Sequence, residues 1–275
     1  MKRVQIIVLN WNGWQDTLVC IASLQKLEYS SFGLMVVDNG SSDDSTAHLL
    51  AHRPAVELIQ TGSNLGFGGG CNVGIRKALE RGVDFIWLIN SDATADPLAL
   101  SALVQVAEAN DQVAAVGSVL YEAGQPDRIQ LWGGGTVKLW TGRSHHQRAP
   151  APLDFISGAS LLLRREALLT AGLFDEQLFF MYWEDTDLGF RLRAAGWQLA
   201  VAPASRVWHK QSASLGQRSP LLDEYFTRSG VRFLRRHAPV PLLSVLFLAG
   251  SLLAKRLLMG ELARARAVFN GLAGA

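Results

Sequence analysis

Cysteine is nearly absent from these 275 residues: only Cys20 and Cys71 occur, far apart and in no metal-ligand spacing. A disulfide framework or a zinc site therefore has no support, and a reducing cytoplasm suits the chain. Charged residues are sparse too, 18% of the chain against 49% hydrophobic. So apolar a chain folds rather than staying disordered, and its length suffices for one large core, or a core with an appendage, without covalent staples. A mean hydropathy of +0.15 points towards membrane contact. The N-terminus shows no basic, apolar and small-residue cleavage pattern but enters Val4-Gln5-Ile6-Ile7-Val8-Leu9 directly, so export through a signal peptide is not expected. No Gly-Lys-Ser/Thr completes a P-loop, and internal repeats and low-complexity tracts are missing.

The net charge of +2 conceals two unlike regions. Residues 1–205 hold 15 Lys and Arg against 21 Asp and Glu, whereas residues 206–275 hold 11 against 3. A basic, apolar tail behind an acidic globular part predicts an anionic surface as partner. Its basic residues interleave with aliphatic runs rather than aromatics, which favours a membrane surface over nucleic acid.

What is present in abundance is alternation. Apolar, β-rich runs at 4–9, 34–38, 56–60, 84–89 and 113–119 predict strands, the first four each followed by a turn and a helical pattern. The helices are expected at 17–26, 42–50, 72–80 and 97–109. This order predicts an α/β fold with a doubly wound, mostly parallel sheet flanked by helices. Ligands of such sheets bind beyond the carboxyl ends of the strands, here the loops after residues 9, 38, 61 and 89. Residues 121–152, rich in Gly, Pro, Trp and basic residues, read as irregular loops or a small hairpin. Further elements are expected at 154–163 (strand), 165–171 and 185–195 (helices), 197–202 (strand) and 221–237 (a basic helix).

Chemistry gathers at those strand ends. The first carries Asn10-Trp11-Asn12-Gly13 and the second Asp38-Asn39-Gly40-Ser41-Ser42-Asp43. Asp38 could accept from a pyrimidine N–H or a ribose hydroxyl, though the same run is turn chemistry by itself. After the third strand, Asn64-Leu-Gly66-Phe67-Gly68-Gly69-Gly70-Cys71-Asn72 opens a helix whose free N–H groups could face a phosphate. It departs from the dinucleotide fingerprint, because Cys71 stands where a third small residue belongs. The fourth strand ends in Asn90-Ser91-Asp92, where a carboxylate could hold Mg²⁺ or Mn²⁺ against a diphosphate, or merely cap a helix. Three acids crowd into Glu184-Asp185-Thr186-Asp187 behind an aromatic run. Crowding and desolvation raise a carboxyl pKa towards the range of a general base. His209, closing Val207-Trp208-His209, could complete a metal shell.

In order and spacing these pieces resemble the family 2 glycosyltransferases of the GT-A fold, particularly bacterial rhamnosyltransferase-like members, over about residues 3–210. The resemblance implies that Asn10, Asn12, Asp38 and Asn39 hold the nucleoside of a dTDP- or UDP-linked sugar. It further implies that Gly66, Phe67, Gly68, Gly69 and Asn72 line the donor pocket, with Asn90 and Ser91 on the nucleotide. Asp92 and His209 are the implied ligands of Mg²⁺ or Mn²⁺, Asn90 replacing the first acid of the family's Asp-x-Asp. Asp185 is the implied base, with Glu184 and Asp187 positioning acceptor and helix. The implied reaction is inverting transfer of a hexose or deoxyhexose, rhamnose among the candidates, to a glycan or lipid-linked acceptor.

Two regions follow: a catalytic domain over 1–210, with a donor half to 120 and an acceptor half beyond it, and a helical tail over 211–275. The tail's apolar run from Pro241, about 14 residues, falls short of the roughly 20 that cross a bilayer. It reads as an interfacial anchor on the cytoplasmic face, or else as a buried helix or homodimer contact. A sugar nucleotidyltransferase and an inactive carbohydrate-binding subunit are the rival readings. The first lacks a basic loop at 10–13, and the second leaves the intact acidic run unexplained.

Overall fold

The computed structural model describes residues 1–51, 56–210 and 219–275. Its N-terminal half alternates as the apolar pattern requires: β1 (Val4–Asn10), α1 (Trp14–Leu24), β2 (Phe32–Asp38), α2 (Ser45–Ala51), β3 (Glu57–Gln60), α3 (Gly66–Glu80) and β4 (Phe85–Asn90). The order β3-β2-β1-β4 is parallel throughout. Ile6 and Val8 face one side of β1 and Ile7 the other, all buried, because helices cover both faces. Strands buried on both sides lose the alternation of a half-exposed sheet, which is why they read as unbroken apolar runs.

Next come β5 (Ala93–Ala95), α4 (Ala99–Ala109) and β6 (Val113–Glu122). Residues 121–152 are more ordered than their composition suggests. β7 (Gln125–Trp132) folds back on β6, and β8 (Gly134–Lys138) forms a hairpin with β9 (Arg143–His146). β10 (Phe155–Ile156) completes this small sheet of three strands. Gly134 and Gly135 are strand residues here. A Cβ on the first would collide with the Phe155 carbonyl, and one on the second with the His145 carbonyl. Close backbone approach, not flexibility, explains those glycines.

The strand expected over 154–163 is two strands. Ser157-Gly158-Ala159 break it into β10 and β11 (Ser160–Arg164), and β11 enters the main sheet antiparallel between β4 and β6. After α5 (Arg165–Ala171) and α6 (Glu184–Ala194), β12 (Gln198–His209) runs well past the expected end at 202. Beyond a register shift between Ala202 and Arg206 it pairs with β5, setting His209 opposite Ala93. Strands β1 to β4, β6 and β12 point one way and β5, β7 and β11 the other. The carboxyl ends therefore share one edge, and the loops named above meet there.

Three helices end the chain: α7 (Pro220–His237), α8 (Pro241–Leu258) and α9 (Leu262–Ala273). Phe226 and Phe233 of α7 pack against Trp183 as tilted rings, their centroids 5.5 and 4.8 Å from its own. The first tail helix thus packs directly on the acidic loop. Arginines that suggested an anionic membrane are largely used inside the protein. Asp223 takes Arg256 at 2.7 Å and Arg264 at 2.5 Å, and Arg236 reaches Asp175 at 2.7 Å. What α8 and α9 leave open is apolar: Leu242, Leu258 and Leu262 are 74%, 89% and 70% exposed. The expected short segment is an 18-residue helix, long and apolar enough to cross a membrane by length and composition, with 22% of it buried.

Candidate active site

At the end of β1, Asn10 is wholly buried and fully engaged. Its Nδ2 donates to Asp38 Oδ1 (2.9 Å) and Ser41 Oγ (3.1 Å), and its Oδ1 accepts from Thr17 Oγ1 (2.7 Å). Asp38 accepts from Ser41 and Thr46 as well, at 2.5 and 2.9 Å. Asn12 takes a left-handed φ of 50° and accepts from the Ser42 N–H at 2.8 Å. These three residues, singled out as nucleoside ligands, brace the two loops against each other with most of their polar atoms. Asn39 reaches further: it donates to Asn64 Oδ1 and the Gly66 carbonyl and lines the cleft.

The glycine run is chiefly a packing device. Gly66 has φ +75°, and a Cβ there would strike the Phe180 carbonyl, which already accepts the Phe67 N–H at 2.9 Å. Gly68 and Gly69 let α3 lie against Phe174 and Leu65. Asn72 clamps α3 to the acidic segment, donating to the Phe174 carbonyl at 2.8 Å and to Glu176 at 2.6 Å. Gly66 and Phe67 reach the cleft, whereas Gly68, Gly69 and Asn72 lie behind its wall. The helix N-terminus expected to face phosphate has its first N–H groups on Asn64 and Phe180.

Asn90, Ser91, Asp92 and His209 meet at one end of the cleft. His209 Nε2 lies 3.2 Å from Asp92 Oδ1 and 3.2 Å from Asn90 Nδ2. Its Nδ1 faces Gln130 Oε1 at 2.9 Å; with the proton on Nδ1, the Nε2 lone pair is free to bind a cation beside Asp92. One carboxylate oxygen and one oriented imidazole nitrogen fit Mn²⁺ well, with Mg²⁺ a poorer match for the nitrogen. Among the described residues no group of three His, Cys, Asp or Glu could enclose an ion. Two protein ligands are the usual complement where substrate phosphates supply the rest.

The acidic loop enters α6 through Tyr182 and Trp183, at φ 66° and 69°. Consecutive non-glycine residues in the left-handed region hold strain, which structures retain where a side chain must be aimed. Behind them Ser229 of α7 donates to the Met181 carbonyl at 2.8 Å, and Arg232 to the Leu178 carbonyl at 2.7 Å. Asp185 is half-buried; its Oδ2 accepts from the Gly158 N–H (3.0 Å) and its Oδ1 from the Thr186 N–H (2.6 Å). Burial raises its pKa, while those N–H groups and nearby His146 pull it back. Glu184 is deeper. Burial, then the Asp185 charge, push its pKa up to about 8, and its Oε2 has no hydrogen-bond partner among the described residues.

Asp187 sits where it braces a helix rather than the cleft wall. It is fully buried on the far side of α6, bound by Arg191 (2.7 Å), His237 (2.8 Å) and Arg236 (3.0 Å). Burial alone would raise its pKa, but the hydrogen bonds from His237 and Arg191 hold it below the ordinary carboxylate value. Asp187 joins α6 to α7 and does not line the cleft.

Asp92, His209, Glu184 and Asp185 line a single cleft of about 460 Å³. Sequence reasoning missed several of its other walls: Trp11 beside the first strand, His146 on β9, and Leu222 and Phe226 on α7. Trp11 adjoined Asn10 and Asn12 in the sequence and could have been found there. The α7 pair could not, since nothing local ties residue 226 to residue 183.

Residues 2–222 match the family described as Glycosyltransferase like family 2. A relative from Mycobacterium tuberculosis (strain CDC 1551 / Oshkosh), named N-acetylglucosaminyl-diphospho-decaprenol L-rhamnosyltransferase, is 30% identical over 223 residues, 72% of each chain. Among solved structures, GalNAc-T7 with UDP, GalNAc and Mn²⁺ superposes with a TM-score of 0.73 at 14% identity. That match takes in 97% of this chain and 54% of the longer one. The mannosyltransferase PcManGT of Pyrobaculum calidifontis with GDP-Man and Mn²⁺ gives 0.61 at 17% identity, covering 100% of this chain and 75% of the other. At such identities these two structures share a fold with the chain, and the likeness extends no further.

Proposed function

The chain belongs to glycosyltransferase family 2, and from that premise we propose an inverting enzyme acting on a lipid-linked saccharide. It moves a hexose or deoxyhexose, rhamnose among the candidates, from a dTDP- or UDP-linked carrier to an acceptor hydroxyl. The observation that carries the reading is the cleft that Asp92 and His209 share with Asp185 and Glu184. The mycobacterial relative's name supports a diphosphoprenol-linked acceptor.

The donor's diphosphate lies beside Asp92, Asn90 and Ser91, and its nucleoside towards Trp11 and the loops that Asn10, Asn12, Asp38 and Asn39 brace. Mg²⁺ or Mn²⁺ on Asp92 Oδ1 and His209 Nε2 would serve as a Lewis acid, neutralising the leaving diphosphate. Asp185 accepts the proton of the acceptor hydroxyl while that oxygen bonds to the anomeric carbon. The bond from that carbon to the diphosphate oxygen breaks, its electron pair leaves with the nucleoside diphosphate, and the configuration inverts. Glu184, protonated at neutral pH, offers the acceptor a hydrogen-bond donor rather than a second charge. The test is transfer from a panel of nucleotide sugars to an N-acetylglucosaminyl diphosphoprenol, with proton NMR of the product linkage. Metal-dependent transfer with inversion is expected; a product of retained configuration contradicts the reading.

The exposed side of α8 and α9 is proposed to hold the enzyme on the cytoplasmic face of the membrane, through apolar contact more than charge. Removing these helices would uncover the buried Val245 and Leu248 contacts with α7, so point changes on the open face are the cleaner probe. Leu246→Glu with Leu258→Glu is expected to stop the protein floating with anionic phospholipid vesicles, donor affinity being unchanged. Undiminished flotation would contradict the anchor. A loss of self-association in place of flotation would make the face a dimer contact.

A further inference from the structure

Beside the first cleft opens a second, of about 580 Å³, sharing Ser144, His146, Ser157 and His209 with it. Its charge is one-sided. Among the described residues Glu122 is the one carboxylate in its wall, and it pairs with Arg128 at 3.3 Å. Against it stand His145 and His146 of β9 and Arg148 just beyond, and Arg148 makes no ion pair among the described residues. Neither the donor nor the base in the reading above uses these groups.

We propose that the second cleft is a phosphate subsite, in which Arg148, His145 and His146 hold the diphosphate of the lipid-linked acceptor while its sugar reaches Asp185. The inference rests on the proposed function and adds the acceptor's anionic group to it. In a sugar diphosphoprenol the diphosphate sits on the anomeric carbon, one ring width from the other hydroxyls. A phosphate site must therefore adjoin the base, and His146 lines both clefts and bears electrostatically on Asp185. Desolvation lowers the His146 pKa, with His145 adding to the effect and Asp185 opposing it. The charge of an imidazole varies with pH, so the permanent charge is that of Arg148, whose planar fork suits phosphate. The β8–β9 hairpin also rests on the tail: Gly142 at its turn packs on Leu234 of α7 and Leu248 of α8. That contact seats the hairpin on the helices whose apolar face is open, where a prenyl chain would enter the bilayer.

The experiment titrates the full chain, in EDTA, with farnesyl diphosphate and separately with inorganic pyrophosphate, using wild type, Arg148→Glu and Asp92→Ala. It also compares transfer to a sugar diphosphoprenol and to the same sugar as a neutral prenyl glycoside. Arg148→Glu is expected to weaken farnesyl diphosphate about tenfold or more, as loss of a charged hydrogen bond does, while Asp92→Ala leaves it unchanged. The same variant should lose kcat/KM on the charged acceptor and keep it on the neutral one. Unchanged binding by Arg148→Glu, or equal loss on both acceptors, overturns the subsite. Pyrophosphate binding as tightly as farnesyl diphosphate overturns the lipid source. Arg148-dependent binding without transfer from any donor upholds the subsite and removes the proposed function instead.

Discussion

Asp185→Asn is expected to lower transfer by about 10²–10⁴-fold, the usual contribution of a positioned general base, with donor affinity nearly intact. Both expectations follow from where the atoms of Asp185 point. The amide side chain of the variant would keep an oxygen for the Thr186 N–H, which Asp185 Oδ1 accepts at 2.6 Å, while the Gly158 N–H, 3.0 Å from Oδ2, would lose its acceptor. That amide cannot take a proton from the acceptor. An interaction made only in the transition state is thereby removed, and kcat and kcat/KM fall together. The wild-type pH profile carries the sign. Burial raises the Asp185 pKa, and a base must be ionised to act, so turnover rises as pH rises through the titration of the acidic pair. Glu184, at about 8, is coupled to it, and the profile reports the pair rather than either residue. Glu184→Gln fixes that group in its neutral form and is expected to leave a single ionisation in the profile, that of Asp185. Wild-type turnover by Asp185→Asn would refute the base assignment.

Asp92→Ala acts at the other end. It removes one of two protein ligands proposed for the cation and is expected to weaken donor binding in Mn²⁺ by about 10–100-fold or more, the range found when even supporting residues are lost. Binding without metal should change little, because the remaining donor contacts are polar and apolar groups of the cleft wall. His209→Ala is expected to follow the same pattern. Gln130→Leu, which frees the imidazole to turn, should produce a milder form of it. Donor titration with and without Mn²⁺ checks all three, and an Asp92→Ala protein with unaltered metal dependence would end the assignment.

The parallel half of the fold was legible because its strands are buried on both faces and its helices follow strict punctuation. The small sheet was legible only as a hairpin set beside irregular loops, since Gly134 and Gly135 read as loop by composition while their role is close approach to Phe155 and His145. A run of apolar residues across 154–163 likewise hid the break at Ser157-Gly158, though that break gives Asp185 its Gly158 N–H. Residue types at the strand ends indicated a site but not which way each side chain turns. Asp38 and Asp187 are acids in suggestive places that face inward to partners 3 to 50 residues away. Charge counting along the tail likewise could not tell that Arg236, Arg256 and Arg264 are paired with carboxylates of the protein.

The proximity of cation and base is open to direct observation by amide NMR of the full chain with Mn²⁺ and a nucleoside diphosphate. Paramagnetic broadening should reach the Gly158 and Thr186 amides, which both bond the Asp185 carboxylate, and Asp92→Ala should abolish it. Sharp signals from those two amides, with broadening centred elsewhere on the protein, would separate the metal from the base and contradict the account.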